Sequence, residues 1–173
     1  MARIAMLIAP DQFRDEEYER PKAVFESRGH EVVTASVAPG PCRGKLGLMV
    51  QADEALRDLD PKELDGLVLV GGGGASIFFD DLDAHRLAAE ILEASGVVGA
   101  ICIAPSTLAR AGLLEGVHAT CFPSQQEDLM LNGAKYTGNQ VEISGKVVTA
   151  DGPDAATEFG EAVISLVEDS SEE

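Results

Sequence analysis

The chain has 173 residues, 45 % of them hydrophobic and 25 % charged, with a formal net charge of -17. That length builds one domain with a proper core and leaves too little for two. So acidic a surface repels nucleic acid and anionic membranes, whose non-specific binding runs on Lys and Arg, and neither is an expected partner.

The opening MARIAMLIAP is too short for a signal-peptide core and lacks a small-residue cleavage site. No stretch approaches the ~18 apolar residues of a membrane helix. Cys42, Cys102 and Cys121 are odd in number and show no CxxC spacing, which fits a reducing compartment and places the protein in the cytoplasm. Only five of the 13 basic residues are lysines, so the acidity reads either as an ordinary cytosolic surface or as adaptation to high salt.

In chain order, RIAMLIA (3–9) is the first expected strand, and EEYERPKAVFESRG is a helix stopped at Gly29. Strands follow at HEVVTASV (30–37), DGLVLV (65–70) and VVGAICI (97–103), with the helix DAHRLAAEILEASG before the last. These runs are too continuously apolar for a half-exposed sheet and read as strands buried on both faces. Next come the helix PSTLARAGLLEG, the strand HATCF, the short helix SQQEDLMLNG and a hairpin NQVEISGKVVTAD turning at Ser144-Gly145. GPDAATEFGEAVISLVE closes the chain as a helix with Pro153 in its first turn. The fold expected is α/β, a three-layer sandwich with a mostly parallel sheet and helices on both faces. A single domain spans residues 1–168, and residues 169–173 read as an acidic, disordered tail.

In such a sheet, ligands bind beyond the carboxyl ends of the strands, where strand order reverses. Three unusual segments fall at strand ends: PDQFRDEE, GGGGAS and CIAPST. The glycines miss G-x-G-x-x-G because Ser76 stands where its last glycine belongs, so a phosphate cradle is poorly supported. They read either as a turn that lets backbone approach backbone or as one that exposes N–H groups to a developing oxyanion. Cys102 ends a strand just before a helix start containing Pro105, Ser106 and Thr107. A buried cysteine is ordinarily a small hydrophobe. A strand-to-helix elbow, however, projects a nucleophile from a sharp turn, and the helix dipole favours thiolate and lowers its pKa.

Five acids surround Tyr18, and Pro21 removes the hydrogen bond that the carbonyl of Glu17 would accept inside a helix. A helix disturbed there turns Glu17 toward the cleft, where burial keeps a carboxyl protonated. His30, His85 and His118 are scattered without metal-ligand spacing, and DDLD at 80–83 reads as a helix cap; no metal is expected.

The segments FRDEEYERP, VLVGG, AICIAP and GLLEG, with TCFPS and TADGP beyond, resemble in order and spacing the ThiJ/PfpI superfamily, from about Arg3 to Val167. That family includes the Parkinsonism-associated deglycase and the PfpI-type intracellular proteases. The resemblance implies a flavodoxin-like sandwich with Cys102 as nucleophile and Glu17 as its protonated partner. It implies an oxyanion pocket of backbone N–H groups at Gly72 and Ile103, with Arg14, Gly73 and Phe122 as pocket candidates. It also implies no cofactor, and assembly as a homodimer or larger homo-oligomer. Three departures stand out: Ile103 replaces the histidine after the cysteine in protease-type members, Phe122 replaces a histidine common in deglycase-type members, and Arg14 replaces an acid and offers a cation that either pairs with Asp15 or Glu16, the reading favoured, or binds an anionic substrate.

The function expected is therefore a cysteine-dependent enzyme with glyoxalase or deglycase chemistry on small reactive carbonyls. The alternatives are a stress-response redox sensor whose cysteine oxidises to sulfinate, and an intracellular cysteine peptidase, disfavoured without an adjacent histidine.

Overall fold

The four apolar runs pair with one another because each is buried on both faces and needs a neighbour on either side. The computed structural model describes residues 1–171. Its elements are β1 (Arg3–Leu7), β2 (Asp11–Phe13), α1 (Asp15–Ser27), β3 (Glu31–Ser36), β4 (Gly40–Gly44), β5 (Met49–Ala52) and β6 (Glu54–Ala55). They continue with β7 (Gly66–Leu69), α2 (Leu82–Glu93), β8 (Val97–Ile101), α3 (Pro105–Arg110), β9 (His118–Ala119) and α4 (Gln126–Leu131). The last are β10 (Lys135–Tyr136), β11 (Val141–Ser144), β12 (Val147–Ala150) and α5 (Ala156–Ser171).

The main sheet runs β11-β12-β8-β7-β1-β3-β6, parallel throughout except for the antiparallel β11–β12 hairpin. Side chains alternate between two cores. On β1, Ile4 and Met6 enter the core beneath α1 and α5 together with Phe25 and Phe159, while Ala5 and Leu7 enter the one beneath α2 and α3. From β1 the chain goes first to β3 on one side and then to β7 on the other, so strand order reverses between β1 and β7. The carboxyl ends of β1, β7 and β8 thus lie side by side. The expected mostly parallel α/β sandwich is the fold observed.

Several boundaries differ. α3 stops at Arg110 because Gly112, at φ 79, takes the left-handed cap: its N–H donates to Ala109 C=O (3.0 Å), and Leu113 N–H returns to Leu108 C=O (3.0 Å). HATCF is a strand only over His118–Ala119, paired in parallel with β10. The hairpin turns on Gly145 and Lys146, between paired Ser144 and Val147. Pro153 opens a 3-10 turn ahead of α5. The acidic end is not a disordered tail at residues 169–171, because α5 continues through Ser171; residues 172–173 lie outside the described residues.

A small sheet β2-β4-β5 was not expected at all, since its strands are short and rich in Gly and Pro. Asp15, buried at the start of α1, accepts from the N–H groups of Leu46 (3.0 Å) and Leu48 (2.9 Å) and so pins the β4–β5 loop. Among the described residues, no helix is long and apolar enough to cross a membrane.

Candidate functional site

β8 is buried along its whole length, and the chain must leave it sharply to start α3. Cys102 makes that corner with φ 65, in the left-handed region. An L-residue there costs roughly 1–2 kcal/mol, so the surroundings must hold it in place. They do so on both sides: Cys102 N–H donates to Ala150 C=O (2.9 Å), and its own carbonyl accepts from Phe122 N–H (2.7 Å). Ala104 N–H closes the turn on Ile101 C=O (3.1 Å), and Pro105 opens α3. Cys102 is buried, with 9 % of the residue left exposed.

Glu17 reaches the same place from α1. Asp15, Glu17, Tyr18, Pro21 and Phe25 form the buried stripe of that helix. α1 runs through Pro21 without a break, so the stripe, rather than the expected disturbance at Pro21, aims Glu17 inward. Pro21 has a different job: α5 packs so closely on it that a Cβ on Gly160 would lie 2.8 Å from Pro21 Cα.

Gly71, just after β7, separates the two groups. A side chain there would collide with Glu17 Oε1, with Cys102 Cβ (2.5 Å) and with Ile101 C=O (2.6 Å). Glu17 is fully buried, and neither carboxyl oxygen has a hydrogen-bond partner. The Cys102 thiol is the side chain felt most strongly by the carboxyl, ahead of Arg14, although it falls short of full hydrogen-bond geometry. Burial pushes the Glu17 carboxyl up to about 8, which keeps it protonated at neutral pH.

The thiol moves opposite to the sequence expectation. Burial first, and then the charge of an ionised Glu17, push Cys102 up to about 12, while the N–H groups of Gly72 and Ile103 pull it down. α3 has only six residues, and its dipole does not offset the desolvation. The repulsive part disappears whenever Glu17 holds its proton. The two groups therefore titrate as a pair, and its singly protonated form contains either an acid beside a thiolate or a carboxylate beside a thiol.

The remaining predicted residues separate cleanly. Gly72, at φ 97, is where a side chain would strike the backbone of Gln12, Phe13 and Arg14, so the close-approach reading of the glycines holds. Its N–H and that of Ile103 both act on the Cys102 sulfur. Arg14 N–H donates to Gly71 C=O (2.9 Å), and its guanidinium pairs with Glu16 (3.0 Å) rather than Asp15. Gly73 is exposed with open space about it and does not line the pair. Phe122 is 44 % exposed at the rim of a cavity of about 210 Å³ that it shares with Gln140, Asp151 and Asp154.

Among the described residues, no histidine joins the pair. His30 accepts from Ala2 N–H (3.0 Å), His85 is bonded to Phe79 C=O (2.7 Å), and His118 is exposed on β9. Asp81 caps α2 by accepting from Ala84 N–H (3.0 Å), as expected for DDLD. Sequence reasoning missed Gly71, whose signal was its place as the first glycine after a buried strand.

Residues 2–166 match the model of the DJ-1/PfpI family. The chain belongs to the DJ-1/PfpI family. It is 32 % identical to the putative cysteine protease YraA of Bacillus subtilis over 95 % of this chain and 98 % of that protein. It is 31 % identical to a deglycase of Pyrococcus abyssi, covering 86 % of this chain and 89 % of the relative. A glutathione-independent glyoxalase of Caenorhabditis elegans is 27 % identical over 94 % of this chain and 87 % of its own. Among solved structures, a ThiJ/PfpI domain protein from Brachyspira murdochii superposes with a TM-score of 0.94 at 31 % identity, covering 96 % of both chains.

Proposed function

We propose that this protein is a cofactor-independent enzyme acting on small reactive carbonyls through Cys102, with Glu17 as its acid–base group. The observation that carries the reading is the buried Glu17 carboxyl with no hydrogen-bond partner, beside a thiol held in a left-handed elbow. A structural glutamate has no reason to be buried without partners, whereas a proton carrier for a nucleophile does.

When the thiol of the resting pair gives up its proton and Glu17 keeps its own, the Cys102 sulfur adds to the aldehyde carbon of methylglyoxal and the proton held by Glu17 passes to the new hydroxyl. The N–H groups of Gly72 and Ile103 favour negative charge where it develops. Glu17 then takes the proton from that carbon and returns it to the neighbouring carbonyl carbon, while the hydroxyl proton of the first carbon passes to the neighbouring oxygen, which leaves a lactoyl thioester. Water cleaves the thioester and restores the thiol. The names of the glyoxalase and deglycase relatives support this chemistry.

Measuring lactate formed from methylglyoxal tests the proposal. Wild type turns over, Cys102→Ala does not, and Glu17→Gln loses about 10²–10⁴-fold, the range for one acid–base group. Equal turnover by Cys102→Ala would sink the reading.

The absence of any histidine at Cys102 among the described residues favours one second reading, a redox sensor, over a peptidase. Sulfur oxidation needs no general base, and a protonated Glu17 can donate to a sulfinate. Peroxide-dependent addition of two oxygens to Cys102, with no aldehyde turnover, would support it. Three unpaired cysteines support a cytoplasmic setting, and the family resemblance supports a homodimer or larger assembly, which light scattering in solution tests.

A further inference from the structure

We propose that Arg14 makes the Cys102 site selective for carbonyl substrates that carry a carboxylate; the inference rests on the aldehyde chemistry above for the reaction, but not for the binding. Arg14 is tied to the site by its backbone, whose N–H donates to Gly71 C=O (2.9 Å) in the same turn that separates Glu17 from Cys102. Its side chain is 28 % exposed, neither free in solvent nor sealed in the core.

Glu16 does not use up the guanidinium. It accepts from Nε (3.2 Å) and from Nη2 (3.0 Å). A guanidinium has five N–H donors, so this one-sided pairing leaves Nη1 and one N–H of Nη2 available. Among the described residues no hydrogen bond ends on Nη1. Pairing along one edge also fixes the plane of the group and leaves its other edge ready for an anion.

The electrostatics of the Glu17 carboxyl point to the same residue. Arg14 is the cation whose charge is felt at Glu17, and the charges of Glu17 and Cys102 are felt at Arg14 in turn. Asp15 is occupied by the N–H groups of Leu46 and Leu48, and Glu17 holds its proton. In a chain of net charge -17, a cation with free donors that is coupled to the Glu17–Cys102 pair marks where a negative substrate group gains a partner.

The substrate class is then a vicinal oxoaldehyde with a carboxylate tail. Cys102 sulfur bonds the aldehyde carbon, the proton on that carbon moves to its neighbour while the hydroxyl proton passes to the neighbouring oxygen, and water cleaves the resulting thioester to release a 2-hydroxy diacid and restore the thiol. The oxidation of one carbon balances the reduction of the next, and no outside oxidant is required.

Two measurements test it. The first compares alkylation of Cys102 by iodoacetate and by iodoacetamide, resolved by mass spectrometry. The rate ratio cancels the ionisation of the thiol, which is common to both reagents. Arg14→Gln should lower the iodoacetate/iodoacetamide ratio about five-fold, the size of one screened charge pair. Glu16→Gln, which frees the whole guanidinium, should raise it, and Arg14→Lys should largely keep it. A ratio that ignores Arg14→Gln, or fails to rise in a folded Glu16→Gln, overturns the inference.

The second compares turnover of 4,5-dioxopentanoate and methylglyoxal, which share the reacting head and differ by the carboxylate. Wild type should favour the dioxopentanoate, and Arg14→Gln should bring the two kcat/KM values together. If the alkylation ratio follows Arg14 while neither aldehyde turns over, the reaction proposed above falls and the anion subsite stands. If both aldehydes turn over alike and the ratio is flat, the subsite falls and the reaction stands.

Discussion

Replacing Glu17 by glutamine should stabilise the fold, and by more as the pH rises. Burial raises the carboxyl from its ordinary 4.5 to about 8. Between those values the folded chain keeps a proton that the unfolded chain has released. Below pH 4.5 the protonated acid carries no penalty, and the stability present there is lost as pH rises through the folded value near 8. At 1.36 kcal/mol per pH unit the loss is about 1 kcal/mol at pH 5, about 3 at pH 7 and about 4 at pH 8. A glutamine side chain does not titrate, so the variant escapes this loss. The two chains share every other titrating group, and Cys102, near 12, stays protonated in the fold over this range. The assay is urea unfolding of wild type and Glu17→Gln at pH 5, 6, 7 and 8. The stability difference should widen by about 3 kcal/mol from pH 5 to pH 8, equivalent to roughly 6–12 °C in Tm for a chain of this size. A difference that is constant across the series would show that Glu17 titrates as an ordinary surface acid. The raised carboxyl, and the shared-proton chemistry built on it, would then be wrong.

Gly71→Ala places a methyl group against Glu17, Cys102 and Ile101, and should cost about 1–3 kcal/mol while changing the alkylation rate of Cys102. Its neighbour serves as a control: Gly73→Ala meets nothing within 4 Å, and denaturant titration should find it within about 0.5 kcal/mol of wild type. Asp15→Ala strands the N–H groups of Leu46 and Leu48 and should cost about 1–3 kcal/mol. Hydrogen exchange should report it locally, as faster exchange of those two amides. Protection that is unchanged there would mean that the β4–β5 loop is held by something other than Asp15.

The main sheet was legible because its strands are buried on both faces: Ile4, Val68 and Val98 belong to runs whose pattern leaves little else for them to be. The small β2-β4-β5 sheet was not, because its strands lack that signal. Gly40, Pro41, Gly44 and Gly47 read as loop, and what orders them is a carboxylate, Asp15, some 30 residues away in sequence. Local pattern cannot report such a contact. The length of α3 was misjudged for a related reason, since Ala111 and Leu113 continue a helical pattern that Gly112 ends by its cap.

In the structure the site stands out where it breaks local rules. A cysteine at φ 65, a carboxyl buried with no partner and a glycine where any side chain would collide with three neighbours are each unfavourable alone. A core under selection for stability alone discards such residues one by one. Here all three converge on a single sulfur, at the carboxyl end of the sheet where strand order reverses. The sequence revealed the corner through the change of pattern after Cys102. The direction of the thiol's shift stayed hidden, because it depends first on how deeply Cys102 itself is buried and then on the charge of Glu17 beside it. The helix-dipole argument that predicted a lowered value considered only the cysteine's own helix. Here the neighbouring acid and the loss of solvent outweigh that helix, so the proton shared with Glu17, rather than a free-standing thiolate, is what the site has to offer a carbonyl.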